Sequence, residues 1–311
     1  MKKEILYEIK GLYRDDLRIT GFTFGSGEKS LCIVGSMRGN EVQQIFCCSQ
    51  LVKKFRQLEE EGRIAPGHQI LIIPTCNPYS MNINKRFWPI DNTDINRMFP
   101  GYHLGETTQR IAEGVFEKIK DYAYGIQFTS FYMPGDFMPH VRMMDEGFSD
   151  IETAKLFGLP FILKRKVRPY DTATLNYNWQ VWNTKAYSLY TTTTTSIDTK
   201  SAGQAVLSVL RFCSSLGFVQ YRETNKHESR VIEDHELVSV QTAKSGIFQT
   251  MVHAGEYVEE GTPLAHIVNP YDGEIMETLY SPCNAVVFFM HNDPLTYADT
   301  AVFKLIETEE K

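Results

Sequence analysis

Gly35-Ser36-Met37-Arg38-Gly39-Asn40-Glu41 is the stretch whose reading decides the fold. It closes the apolar run Leu31-Cys32-Ile33-Val34 and opens a segment in which Val42, Ile45, Phe46, Leu51, Val52, Phe55 and Leu58 recur at helical spacing up to Glu61. A short, wholly apolar run of this kind lies buried mid-sheet. A strand that ends in glycine and feeds a helix delivers polar side chains to the mouth of an α/β sheet, where ligands bind. Downstream, Gln69–Pro74 (QILIIP) reads as a second buried strand, stopped by the Asn77-Pro78 step. Strand, helix and strand in that order predict a right-handed parallel crossover. Upstream, Glu4–Ile9 and Arg18–Phe24 alternate around the polar turn Arg14-Asp15-Asp16 and read as edge strands.

The chain has 311 residues and 42% hydrophobic content, enough for a large α/β domain over 1–222 and a smaller one over 230–311. A net charge of −6, with Lys and Arg scattered, excludes a nucleic-acid footprint. No apolar run approaches the roughly 20 residues of a membrane span, and Met1-Lys2-Lys3-Glu4-Ile5 is too polar for a secretory signal, so a cytoplasmic protein is expected. The six cysteines sit in apolar contexts without C-x-x-C spacing and read as reduced core thiols. Nothing in the sequence signals an oligomeric state.

Lys85–Gly101 is a loop dense in groups that bind carboxylates, with Arg86, Asn96 and Arg97, stiffened by Pro89 and Pro100. Read functionally it is a ligand loop; read blandly it is a solvated connection whose Arg and Asp satisfy each other. Asp171–Ser188 mixes Tyr177, Trp179, Trp182 and Tyr187 with Asn176, Asn178 and Asn183, which suits either a pocket wall or ordinary packing. Ser201–Leu216 fits a helix closed by Gly217, and Arg222–Ser229 reads as a linker. From about Arg230, the short strands Leu237–Gln241, Gly246–Met251, Pro263–Val268 and Ala285–Met290 alternate with turns and predict an all-β module of about 80 residues. Its pattern resembles the barrel-sandwich fold of lipoyl and biotinyl carriers, but without a lysine at a hairpin tip. A swinging-arm role is therefore not expected.

Gly35–Glu41, Asn77-Pro78, Arg86, Asp94-Ile95-Asn96-Arg97-x-Phe99-Pro100-Gly101 and Thr108-Gln109-Arg110-Ile111-Ala112 together resemble the ordered motifs of the succinylglutamate desuccinylase/aspartoacylase family. The resemblance implies a zinc-carboxypeptidase-like mixed α/β/α domain followed by a β domain set against the cleft. It also implies zinc-dependent hydrolysis of an amide between an acyl group and an amino acid. In that family, the arginine at the position of Arg86 polarises the scissile carbonyl and the pair at Asn96 and Arg97 grips a substrate carboxylate. His140 and Arg142, in Pro139-His140-Val141-Arg142, resemble a segment that also faces the pocket.

The departures fall on the metal and the base. The family's first zinc ligand, a histidine, falls on Arg38, a fixed cation that cannot ligate zinc. The second is present as Glu41, and the third falls on Thr129, with Gln127 where a bracing aspartate stands. The base glutamate falls on Tyr190, and no acid occurs from Lys185 to Ile197. No cofactor is expected, and a small anionic ligand, a carboxylate or acylated amino acid, is the expected partner. Two functional readings follow: a pseudoenzyme that keeps the carboxylate grip, and an active deacylase with a metal rebuilt on Glu41, His140 and Asp136.

Overall fold

In the computed structural model, which describes residues 1–11, 15–145, 150–222 and 228–308, the strand that precedes the Arg38 turn is buried on both faces from Ser30 onward. The strands of the first half are β1 (Lys2–Ile9), β2 (Leu17–Gly25), β3 (Gly27–Ser36), β4 (Gly67–Thr75), β5 (Tyr124–Phe128), β6 (Gly135–Phe137), β7 (His140–Met144), β8 (Phe161–Arg165), β9 (Lys185–Tyr190) and β10 (Arg230–Glu233). The helices are α1 (Val42–Glu60), α2 (Pro78–Asn82), α3 (Thr107–Ile119), α4 (Ile151–Lys155), α5 (Leu175–Val181) and α6 (Thr199–Ser215). Nine of these strands form one mixed sheet in the order β1-β2-β4-β3-β5-β9-β7-β8-β10. Its central strands β4, β3, β5 and β9 run parallel, so their carboxyl ends share one edge.

The period of two along β3 sorts side chains into two cores. Leu31 and Ile33 join Cys47, Leu51 and Phe55 of α1 and Val209 and Phe212 of α6 on one face. Cys32 and Val34 join Ile111 and Val115 of α3 and Trp179 of α5 on the other. A strand covered on both faces has no polar side to alternate, which is why Leu31–Val34 reads as continuous apolar sequence. Trp179 and Tyr187, from the stretch with two open readings, lie fully in these cores, whereas Asn176 lines a cavity described below.

The second half is built from β11 (Leu237–Thr242), β12 (Gly246–Thr250), β13 (Tyr257–Val258), β14 (Pro263–Val268), β15 (Ile275–Tyr280), β16 (Ala285–His291), β17 (Leu295–Thr296) and β18 (Thr300–Glu307). They form two antiparallel sheets, β11-β18-β16-β13 and β15-β14-β12-β17, around a core that includes Leu264, Ile267, Val287 and Phe303. Two features join the halves more closely than a linker would. Residues 230–233, counted with the β module from the sequence, pair parallel with β8 and extend the large sheet. β6 crosses the other way and pairs antiparallel with β16, Phe289 opposite Phe137. A shared apolar cluster of Phe137, Leu163, Tyr190, Leu237, Phe288 and Ile306 fills the seam. Of the linker expected over Arg222–Ser229, residues 223–227 lie outside the described residues, as does Arg14 of the first expected turn. No helix among the described residues is long and apolar enough to cross a membrane.

Candidate functional site: an arginine–carboxylate cluster beside a cationic cavity

The turn after β3 is pressed against the loop after β4. At Gly39 a Cβ would collide with the backbone of Ser80, Met81 and Lys85, and the Gly39 amide donates to the Arg86 carbonyl at 3.2 Å. Only glycine permits this approach, and it is what brings the loop carrying Asp94, Asn96 and Arg97 over the strand ends. The side chains of Arg38 and Glu41 start from that turn and are almost completely buried, at 5% and 1% exposure.

Arg38 is held by acids on two sides. Its Nη1 donates to Glu41 Oε1 at 3.0 Å and to Ser130 Oγ at 3.1 Å. Its Nε and Nη2 donate to Asp94 Oδ2 at 3.2 and 2.7 Å. Glu41 is saturated in turn: Oε2 accepts from the Met37 and Arg38 amides at 2.9 and 3.0 Å, and Oε1 accepts the Ser130 hydroxyl as well as Arg38. Asp94 is fixed by the Asn96 amide, which donates to Oδ1 at 3.0 Å. Burial works to lower the Arg38 pKa, but Glu41 and Asp94 outweigh it and hold the guanidinium above its ordinary value. The cation is therefore permanent.

These residues do not fit zinc. The ligand positions offer one carboxylate whose two oxygens already accept four donors, a guanidinium, and the Thr129 hydroxyl, which donates to the Gln127 carbonyl at 3.1 Å. Zinc takes three or four neutral-nitrogen, thiolate or carboxylate ligands in tetrahedral array. The alternative trio is not assembled either. Among the described residues no group of three or more His, Cys, Asp and Glu side chains is placed to hold a metal ion. Asp136 instead accepts from Asn292 at 2.9 Å, and His140 Nδ1 bonds the Met138 carbonyl at 2.8 Å.

In front of the cluster lies a cavity of about 370 Å³. Arg38, Arg97, Arg142, Arg165 and Arg168 line it against a single carboxylate, Asp171. In a chain of net charge −6 this is a local inversion of sign, and it favours an anion. Arg165 is paired with Asp171 at 2.8 Å and Arg168 with Asp234 at 3.1 Å. Arg97 and Arg142 have no carboxylate partner among the described residues; their guanidinium carbons sit 5.9 Å and 5.1 Å from the ring centres of Tyr170 and Tyr190. Burial pulls the Arg97 pKa below its ordinary value, with Arg38 adding to the effect and Asp94 opposing it. An incoming carboxylate would relieve that cost. Asn96 also lines the cavity, its Oδ1 accepting from the Leu175 amide at 3.2 Å.

The other expected residues are placed elsewhere. Arg86 does not line the cavity; its Nη2 donates to the Phe131 carbonyl at 2.8 Å, which anchors the aromatic wall. His140 and Tyr190 line an adjoining cavity at the seam, stacked at 4.5 Å, and not the one that holds Arg97. A carbonyl only accepts, so His140 Nδ1 carries the proton toward Met138 O. Burial lowers its pKa to about 3, with the Met138 bond opposing and Arg142 adding to the fall. Such an imidazole is neutral at pH 7 and a feeble base. Burial likewise raises the Cys47 and Cys76 thiols to about 12, which removes them as nucleophiles. Tyr271 and Tyr297, on the β module, are 97% and 80% exposed and line neither cavity.

Residues missed from the sequence are Ser130, Arg165, Arg168 and Tyr170. The signal was the run Lys164-Arg165-Lys166-Val167-Arg168, four cations in five residues, which contradicts the reading of Lys and Arg as merely scattered.

Comparison with known proteins adds a family to this geometry. Residues 27–127 match the model of the succinylglutamate desuccinylase/aspartoacylase catalytic domain. An N-alpha-acetyl-L-2,4-diaminobutyric acid deacetylase from Halomonas elongata is 29% identical over 89 residues, and that match covers 29% of this chain and 24% of the relative, well under two thirds of its length. Among solved structures, a succinylglutamate desuccinylase from a Silicibacter species superposes with a TM-score of 0.81 at 18% identity, covering 98% of this chain and 93% of that one. The product-bound ectoine utilization protein EutE (DoeB) from Ruegeria pomeroyi gives 0.79 at 17% identity, covering 94% and 90%. At such identities the structural likeness speaks for the fold.

Proposed function

We infer that this chain is a divergent member of the succinylglutamate desuccinylase/aspartoacylase family whose function departs from zinc hydrolysis: it binds a small carboxylate or acylated amino acid and does not cleave it. One observation carries the reading. The guanidinium of Arg38, bonded to Glu41 and Asp94, supplies a fixed buried cation at the zinc-ligand positions. Zinc hydrolases need a metal-activated water near neutral pH and an acceptor for its proton. Arginine provides charge but no exchangeable water; of the groups lining the two cavities, Asp171 and Asp234 are tied to Arg165 and Arg168, and His140 is neutral and weakly basic. Binding needs less. Arg97 and Asn96, whose matching positions grip a carboxylate in the family, are proposed to hold the carboxylate together with Arg142, with Arg86 supporting the wall at Phe131.

The test is thermal shift across a panel of dicarboxylates and N-acyl amino acids. A ligand at 100 times its Kd raises stability by about 2.7 kcal/mol. The binding reading expects such an upward shift in the wild type and its loss in Arg97→Ala. No response to any acid would contradict it.

A further inference from the structure

The cavity of about 250 Å³ at the seam meets the carboxylate grip just described at Arg142 and holds neither Arg97 nor Asn96. It shares the walls Phe131, Tyr132, Arg142, Arg165, Arg168 and Tyr170 with the first cavity, so the two adjoin along these residues. Its inner wall is aromatic: Phe137, His140, Tyr190 and Phe288 pack with ring centres 4.5 to 5.9 Å apart. Its outer wall comes from the β module, where β18 contributes Lys304. Lys304 is half-buried and makes no ion pair among the described residues; burial depresses its pKa, with Asp234 opposing. The Tyr190 hydroxyl is buried without a hydrogen-bond partner among the described residues. A wall of flat rings ending at an unpaired, partly desolvated ammonium is a receptor for a flat apolar group that carries negative charge.

We propose that the seam cavity binds the far end of the ligand, an aromatic body bearing a second acidic group, with Lys304 as its counter-ion and a first carboxylate at Arg97. The proposal rests on the carboxylate-binding reading of the first cavity and adds the class of ligand to it. Arg165 and Arg168 are already paired with Asp171 and Asp234, and Arg142, which also lines the seam cavity, is assigned to the first carboxylate, so among the described residues Lys304 is the seam cation left to meet the second charge. Placing it on the module also gives the β domain a role in recognition.

Isothermal titration calorimetry on the full chain tests this with para-phenylenediacetic acid, its monomethyl ester and suberic acid. The diacid should bind at least roughly tenfold more tightly than its monoester, the return expected from one charge-assisted contact. Lys304→Met keeps the apolar stem and removes the charge. It should bring the diacid down to the affinity of the ester and leave the ester unchanged, while Arg97→Ala weakens both. Equal binding of diacid and ester, with Arg97→Ala weakening both, would overturn the second anion site and leave the first standing. Suberic acid matching the aryl diacid would overturn the aromatic body. No binding by any of them would overturn the aryl diacid as the ligand class, and the thermal-shift panel of N-acyl amino acids would then decide the first reading separately.

Discussion

Arg38→Ala is expected to cost about 3–5 kcal/mol of folding stability, the range for removing one partner of a buried ion pair. The substitution leaves Glu41, at 1% exposure, and Asp94 as neighbouring carboxylates with no cation between them. Ser130 and the Met37 and residue-38 amides still donate to Glu41, but they are dipoles, and among the described residues Asp94 keeps only the Asn96 amide. The triple substitution Arg38→Met, Glu41→Gln, Asp94→Asn should recover most of the loss, because replacing a whole buried ion cluster with neutral groups is often close to neutral. Urea denaturation followed by fluorescence measures both. A cost of about 1 kcal/mol or less for Arg38→Ala, the behaviour of an exposed pair, would contradict the buried cluster.

Phe288→Ala should be nearly as damaging, at about 3–5 kcal/mol, and its effect should cross the seam. Phe288 belongs to the β module by sequence, yet it is fully buried and its ring lies 4.7 Å from His140, 5.9 Å from Phe137 and 6.0 Å from Phe161. Its carbonyl also accepts from the Met138 amide at 3.0 Å. Chain position makes the readout clean. The tryptophans are Trp88, Trp179 and Trp182, all in the α/β half, so their fluorescence reports that half alone. The account expects the tryptophan-reported unfolding midpoint to fall when a module residue is truncated. A tryptophan transition that stays in place would mean the module unfolds independently and that the seam adds nothing to the α/β half.

The parts of this structure that were legible in the sequence are those governed by local period. Leu31–Val34, the helical spacing from Val42 to Leu58 and the QILIIP run fix a strand, a helix and a parallel strand, because burial on two faces or one stripe leaves its mark residue by residue. The Arg38–Glu41 ion pair is also local, spanning three positions at one turn. What was not legible depends on distant chain. Arg230–Glu233 alternates like any short strand, and only its pairing with Phe161–Lys164 assigns it to the large sheet. Asp94 stands 56 residues from Arg38, and no spacing rule announces a bond between them. Tyr190 occupies the expected end of β9, but side-chain direction alternates along a strand, and packing with Phe137 and His140 carries its ring into the seam cavity. Arg165 and Arg168 lie outside the family's motifs, and only the fold carries their basic run, Lys164–Arg168, to the cavity.

The exchange of a metal for a guanidinium is the central claim, and the zinc content of the folded protein tests it most directly. The full chain, incubated with equimolar zinc at pH 7.5 and passed through a desalting column, is assayed by elemental analysis beside its rate of N-acyl amino acid hydrolysis. The account predicts far less than one zinc per chain, an unchanged melting temperature and no chelator-sensitive cleavage, because Glu41 is committed to Arg38 and Ser130 and Thr129 offers only a hydroxyl. One tightly held zinc per chain, with hydrolysis that chelator abolishes, would contradict it.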